Sequence, residues 1–302
     1  MPSTGAGWWC ESGKSACHPA TSDLRDVVAP HGASRSLSGM TTYRLAVVGG
    51  GNMGAALVGG LLHAGWSAGD LAVVEVLAAR ADQLRELFPG VTVTDEIPAC
   101  EAALIAVKPY DVAGACAAAA AAGATRLLSI AAGISIAALQ AAAGPEVAVV
   151  RAMPNTPALV GKGAAAICAG TTADESDLDW ADGILGSVGI VVRVPESQLD
   201  AVTGLAGSGP AYLFLVAEAL IDAGVLAGLA RAHSEALVTQ LFVGSAALLA
   251  QRGEPAQLRA MVTSPGGTTA AGVRQLEEHA VRSAFLEAVM AATRRSSELG
   301  QH

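Results

Sequence analysis

The chain has 302 residues and a formal net charge of −9, with 15% charged residues against 52% hydrophobic ones. The acidic balance excludes the usual nucleic-acid binder, which carries a basic face, and the low charge leaves apolar surface for a large core and for contacts between subunits. Mean hydropathy is positive at +0.46, but the apolar stretches are rich in Ala and Gly and broken by polar residues. No run of about 18 residues stands apart as a membrane span, and a soluble cytoplasmic protein without nucleic-acid or membrane partners is expected.

Residues 1–40 are dominated by Ser, Gly, Thr and Pro, without apolar periodicity. They are expected to form a disordered tail, and they lack the apolar stretch of a secretory signal. Met40 stands just before the first strand and is a candidate start. Trp8, Trp9, Cys17 and His18 fall in this tail and read as incidental composition. The five cysteines, Cys10, Cys17, Cys100, Cys116 and Cys168, are odd in number and scattered. Reduced thiols fit them better than a disulfide framework or a zinc site.

From Tyr43 strand-like and helix-like segments alternate. Strands are expected at 45–48, 71–74, 91–94, 103–107, 126–130, 147–151, 164–168 and 189–194. Helices are expected at 54–64, 78–87, 112–122, 136–143 and 176–187. Such alternation predicts an α/β fold with a Rossmann-like, doubly wound parallel sheet. After Val194 the pattern becomes helical throughout, which divides the chain into a tail (1–40), a nucleotide-binding domain (41–198) and an all-helical domain (199–302). The segment 211–223 is apolar almost all round; such a helix is usually buried, and here a second subunit is the expected cover.

The first strand runs into Gly49-Gly50-Gly51-Asn52-Met53-Gly54. A G-x-G-x-x-G between a strand and a helix is the dinucleotide fingerprint. Gly49 permits the tight turn, Gly51 lets backbone approach a pyrophosphate, and Gly54 lets helix and strand pack closely. The free N–H groups at the helix start then favour a diphosphate. Glu75 ends the second strand 21 residues after Gly54, where an acidic residue takes a ribose hydroxyl and disfavours a 2′-phosphate. Arg80 is the nearby residue able to reach a phosphate instead. Ala106-Val107-Lys108-Pro109 follows another strand, and residues 129–133 the next; both are placed to line the ligand crevice at the carboxyl ends of the strands. Asn155 follows the strand at 147–151 and reads either as a hydrogen-bond partner for a carboxamide or as a turn residue.

In the helical domain, residues 207–212 open the apolar helix, with Pro210 suited to its first turn. Thr263-Ser264-Pro265-Gly266-Gly267-Thr268-Thr269 leads into another helix. Its exposed N–H groups suit a carboxylate or phosphate, and Ser264, Thr268 and Thr269 add hydroxyls. The only lysines are Lys14, Lys108 and Lys162, so lysine acid chemistry is not available in the helical domain. No metal-ligand spacing stands out, and His233 and His279 are isolated.

With these motifs in view, the chain resembles the pyrroline-5-carboxylate reductases. The resemblance is carried by residues 47–54, 106–109, 150–157 (V-R-A-M-P-N-T-P), 200–212 (D-A-V-T-G-L-A-G-S-G-P-A-Y) and 262–276 (V-T-S-P-G-G-T-T-A-A-G-V-R-Q-L), and it runs from about 43 to 299. It implies hydride transfer from NAD(P)H to the C=N bond of 1-pyrroline-5-carboxylate, giving L-proline. It implies that the helical domain dimerises, often within a larger homo-oligomer. It places the substrate carboxylate on the Ser264 side chain and the backbone of Gly266, Gly267 and Thr268, with Thr269 beside the ring nitrogen. Asn52, Met53, Asn155 and Ala106–Pro109 would lie along the cofactor, and a neighbouring subunit would complete the pocket. Members that prefer NADPH often carry Ser, Asn or Arg just after the second strand, where this chain reads Glu75-Val76-Leu77-Ala78-Ala79-Arg80. The dinucleotide is therefore NADPH or NADH, with family habit tilting towards NADPH. Competing readings are a related imine or 2-oxo acid reductase and a non-catalytic dinucleotide sensor; the 263–269 motif argues against both.

Overall fold

The structure, a computed structural model, describes residues 42–300. The tail reading, with Trp8, Trp9, Cys10, Lys14, Cys17, His18 and Met40, lies outside the described residues.

Strands β1 (Leu45–Val48), β2 (Leu71–Val74) and β4 (Ala102–Ile105) are buried along their whole length. Their side chains alternate between two cores, one on each face of the sheet. Leu45 and Val47 join Leu57 and Leu61 of α1 (Asn52–His63), Leu84 of α2 (Ala78–Leu87) and Ile184 of α5 (Glu175–Gly186). Ala46 and Val48 face the other way, towards Cys116 and Ala119 of α3 (Val112–Ala121) and Leu139 of α4 (Ile136–Ala143). Covering both faces in this way is what a doubly wound sheet requires. With β3 (Thr92–Thr94), β5 (Arg126–Ser129), β6 (Ala148–Met153), β7 (Gly163–Ala169) and β8 (Gly189–Arg193), the strand order is β3-β2-β1-β4-β5-β6-β7-β8.

The sheet departs from the all-parallel expectation at one step: β7 runs antiparallel to β6, with Arg151 opposite Cys168. The reason lies in the connection. Residues 154–162 hold only the 3₁₀ turn Thr156–Val160, too short for the helical crossover that a parallel return needs. Helix α5 then carries the chain back to place β8 parallel to β7. The carboxyl ends of β7 and β8 thus lie at the edge opposite those of β1–β6.

Beyond β8 the chain is helical: α6 (Leu199–Val202), α7 (Gly209–Leu226), α8 (Arg231–Arg252), α9 (Pro255–Met261), α10 (Thr268–Glu278) and α11 (Val281–Leu299). A π-turn, Thr203–Gly207, joins α6 to α7. Helix α11 folds back over α6 and this turn, where Ser296 Oγ and Asp200 Oδ1 are 2.7 Å apart. The Tyr212 hydroxyl donates to the Gly204 carbonyl at 3.1 Å. A small core of Ile136, Ala166, Cys168 and Leu199 seats α6 on the sheet.

The apolar helix expected to be buried is not buried within one chain. No residue of α7 is buried, and Phe214 and Leu215 are 65% and 66% exposed. By length and composition alone the continuous helical run Glu196–Leu226, which holds an 18-residue stretch of mean hydropathy 1.5, is apolar enough to cross a membrane. The sequence reading sets no such run apart because Glu196, Asp200, Glu218 and Asp222 punctuate it.

Candidate active site

Parallel strands deliver their carboxyl ends to one edge, and the order reverses between β1 and β4, so a crevice opens there. The glycine loop sits at that crevice. Gly49 has φ +107°, and a Cβ on it would lie 2.6 Å from the Ala106 carbonyl oxygen. A Cβ on Gly54 would collide with the Gly49 carbonyl. Around Gly51 there is open space out to 4 Å, and Gly51 caps α1. Helical bonding starts only with the Ala55 N–H to the Gly51 carbonyl. The N–H groups of Gly51, Asn52 and Met53 have no acceptor among the described residues. Two packed glycines and an open one at a helix start form a cradle that a side chain would fill. These residues fit a dinucleotide diphosphate.

Glu75 leans over this loop. One carboxylate oxygen accepts the Gly50 N–H at 3.2 Å and the other the Leu77 N–H at 2.9 Å. Arg80 approaches the same loop: its Nε donates to the Gly50 carbonyl at 2.8 Å, and a terminal nitrogen donates to Gln83 at 3.1 Å. Ala106 continues the ladder from β4, its N–H donating to Val48 at 2.8 Å. Val107 is half-buried, while Lys108 and Pro109 are exposed at the start of a short turn over the crevice.

Asn155 lies at the end of β6 with both ends of its amide engaged. Its Nδ2 donates to the Ala206 carbonyl at 3.0 Å, and its Oδ1 accepts the Ala164 N–H at 2.8 Å. It therefore ties the sheet to the π-turn, leaving one amide hydrogen for a ligand. It does not cap the 3₁₀ turn that follows it.

The hydroxyl-rich segment forms its own platform. Gly266 has φ +69°, a left-handed conformation that glycine adopts at no steric cost. The Gly267 N–H closes back on the Ser264 carbonyl at 3.1 Å, and Gly267 caps α10 without a side-chain bond. Because α10 bonding begins with Ala271 to the Gly267 carbonyl, the N–H groups of Thr268, Thr269 and Ala270 have no acceptor among the described residues. Ser264 and Thr268 are exposed and Thr269 half-buried. The structure brings Gly49, Gly51, Asn52, Met53, Gly54, Glu75, Arg80, residues 106–109 and Asn155 to one edge of the sheet. The Ser264–Thr269 platform leads into α10, which packs against α11.

One partly buried pair, Arg151 and Glu196, has no role in the sequence reading. Arg151, on β6, has a side chain only 12% exposed and meets Glu196 at 2.8 Å. The same Glu196 oxygen accepts the Ile136 N–H at 2.7 Å, so one carboxylate holds β6, the start of α4 and the exit from the sheet. An arginine inside an apolar strand is the available signal, since a buried guanidinium needs a counter-charge. Beside it, burial raises the Cys168 thiol to about 11, with Glu196 adding to the shift and Arg151 opposing it. Burial likewise raises Cys100 and Cys116 to about 11. None of the three is an activated nucleophile.

Residues 196–299 match the family profile described as pyrroline-5-carboxylate reductase dimerisation, and residues 44–133 match one described as NADP oxidoreductase coenzyme F420-dependent. A pyrroline-5-carboxylate reductase of Corynebacterium melassecola is 42% identical over 272 residues, covering 87% of this chain and all of that one. The structure of a pyrroline-5-carboxylate reductase from Coxiella burnetii superposes with a TM-score of 0.80 at 33% identity, covering 86% of this chain and 99% of that one. The Plasmodium falciparum pyrroline carboxylate reductase with NADP bound superposes with a TM-score of 0.73 at 31% identity, over 87% of this chain and 100% of that one.

Proposed function

This chain belongs to the pyrroline-5-carboxylate reductase family, and on that premise we propose that it reduces the C=N bond of 1-pyrroline-5-carboxylate to give L-proline, with NAD(P)H. The observation that carries the proposal is the pairing of two helix-start cradles in one chain, at Gly51–Met53 and at Gly267–Thr269. Each has N–H groups without an acceptor among the described residues.

The bound dinucleotide supplies the hydride from its nicotinamide ring. The chain positions the reactants. The Gly51–Met53 backbone and the α1 N-terminus hold the diphosphate, while Glu75 and Arg80 set the shape of the loop around it. Ser264 and the N–H groups of Gly266 and Thr268 hold the substrate carboxylate, the Gly267 N–H expected to join them being engaged with the Ser264 carbonyl, and the Thr269 hydroxyl lies beside the ring nitrogen. The platform carries hydroxyls and no titratable acid. A ring protonated from solvent is already electrophilic, so holding it in the right pose is the main task left to the protein.

The same reading divides the chain near residue 198 into a dinucleotide domain and a helical domain. In it the helical domain pairs with a second copy to make a homodimer or larger assembly, and the partner's platform completes each pocket. The fold and the soluble character of such a reductase suit the cytoplasm.

The test is loss of NADH and NADPH absorbance with pyrroline-5-carboxylate, on the purified full-length protein. Turnover is expected with at least one dinucleotide. In Thr269→Ala, kcat should fall by at least about tenfold with cofactor Kd unchanged. A protein that binds dinucleotide and oxidises neither with this substrate would sink the proposal.

A further inference from the structure

Resting on the dinucleotide reading above, we infer that Glu75 makes this chain selective for NADH over NADPH, by taking the 2′-hydroxyl of the adenosine ribose and repelling a phosphate on that oxygen. The glycine loop places the diphosphate over Gly51, so the adjacent ribose lies against the end of β2. Glu75 stands there, in contact with the loop itself through the Gly50 N–H at 3.2 Å. Each carboxylate oxygen spends one lone pair on a backbone N–H, of Gly50 or Leu77. Each keeps a second for a ribose hydroxyl.

The surrounding charges point the same way. A hollow of about 350 Å³ beside Glu75 is lined by Val76, Arg85, Thr94 and Asp95 among others, so a second carboxylate stands near Glu75, together with one guanidinium. The two arginines in reach are engaged elsewhere. Arg85 bonds Asp82 at 2.7 Å and the Val93 carbonyl at 3.2 Å. Arg80 is turned onto the Gly50 carbonyl and Gln83. To pair with a phosphate there through a guanidinium fork, Arg80 would have to leave the Gly50 carbonyl and Gln83, or Arg85 leave Asp82 and the Val93 carbonyl, while the Glu75 carboxylate stays in place.

The test is isothermal titration of the full-length protein with ADP-ribose and 2′-phospho-ADP-ribose, and with NADH and NADPH. The unphosphorylated member of each pair should bind at least tenfold more tightly. Glu75→Gln, which keeps an acceptor and removes the charge, should narrow that ratio at least fivefold, and Glu75→Ser should abolish or invert it. Equal or tighter binding of the phosphorylated ligands by the natural chain would overturn the inference while leaving the reductase reading intact. A ratio unmoved in folded Glu75→Gln and Glu75→Ser would also overturn it. Failure to bind any of the four ligands would overturn the reductase reading together with the inference. The comparison of the two ADP-ribose ligands needs no variant, so it stands even if neither variant folds.

Discussion

Glu75 and Arg80 grip one residue of the glycine loop from its two sides: the carboxylate accepts the Gly50 N–H at 3.2 Å and the Arg80 Nε donates to the Gly50 carbonyl at 2.8 Å. The loop's shape is thus held by side chains from β2's end and α2, not by the glycines alone. Removing Arg80 loosens the loop while leaving the Glu75 carboxylate in place. A charge-assisted hydrogen bond at a partly exposed site is worth about 1 kcal/mol, or roughly a fivefold change in affinity. Arg80→Ala should therefore raise Kd for NADH and NADPH alike by about that factor, with their ratio preserved. A loss confined to NADPH would mean that Arg80 reads the 2′-phosphate.

Gly51 and Gly54 separate two requirements that the fingerprint combines. A methyl group on Gly51 meets no atom within 4 Å, whereas one on Gly54 runs into the Gly49 carbonyl. Gly51→Ala should leave the melting temperature unchanged and weaken dinucleotide binding by at least about tenfold, because only a ligand occupies that space. Gly54→Ala should lower stability by about 2 kcal/mol or more through overpacking against backbone. A drop in Tm for Gly51→Ala would place protein, not ligand, over the cradle.

Asn155 spans two parts of the fold. Replacing it with Ala strips the partner from the Ala164 N–H and frees the Ala206 carbonyl of the π-turn. Leaving partly buried groups unpaired costs about 2 kcal/mol, and Tm should fall by about 5 °C. Asn155→Asp should not rescue it, since a carboxylate would face the Ala206 carbonyl. An unchanged melt in both variants would show that this bridge contributes nothing to the fold.

Local chemistry was readable where neighbours in sequence decide it. The all-buried strands at Leu45 and Leu71 and the glycine turn declare themselves, as does the α2 segment from Ala78. What long-range contact decides was not readable. The reversal at β7 depends on how little chain joins it to β6. The use of Glu196 to hold both Arg151 and the Ile136 N–H joins residues 45 and 60 apart in sequence. Asn155 was legible as a polar residue at a strand end, but its partner at Ala206 was not. The Ser264–Thr269 platform was recognisable by type. Its place on α10, packed on α11 rather than on the sheet, follows only from the helical architecture.

The exposed face of α7 carries the last prediction. Phe214 and Leu215 are 65% and 66% exposed and Leu226 is 90% exposed, and α8 adds Leu237 at 61%. A stripe this apolar is unusual on a lone subunit, and residues 196–299 match a dimerisation profile. Burying a Phe or a Leu is worth about 1.5–3 kcal/mol each. Two aspartates in their place forfeit that gain on both copies and add a desolvation cost. Phe214→Asp with Leu215→Asp should therefore convert the assembly to monomer in sedimentation velocity, with dinucleotide affinity retained because the Gly51 cradle lies on the sheet. Turnover should fall by at least about a hundredfold if, as proposed above, the partner's Ser264–Thr269 platform completes each pocket. A double variant that stays dimeric would move the interface off α7. A monomer with undiminished turnover would show instead that one chain closes the pocket by itself.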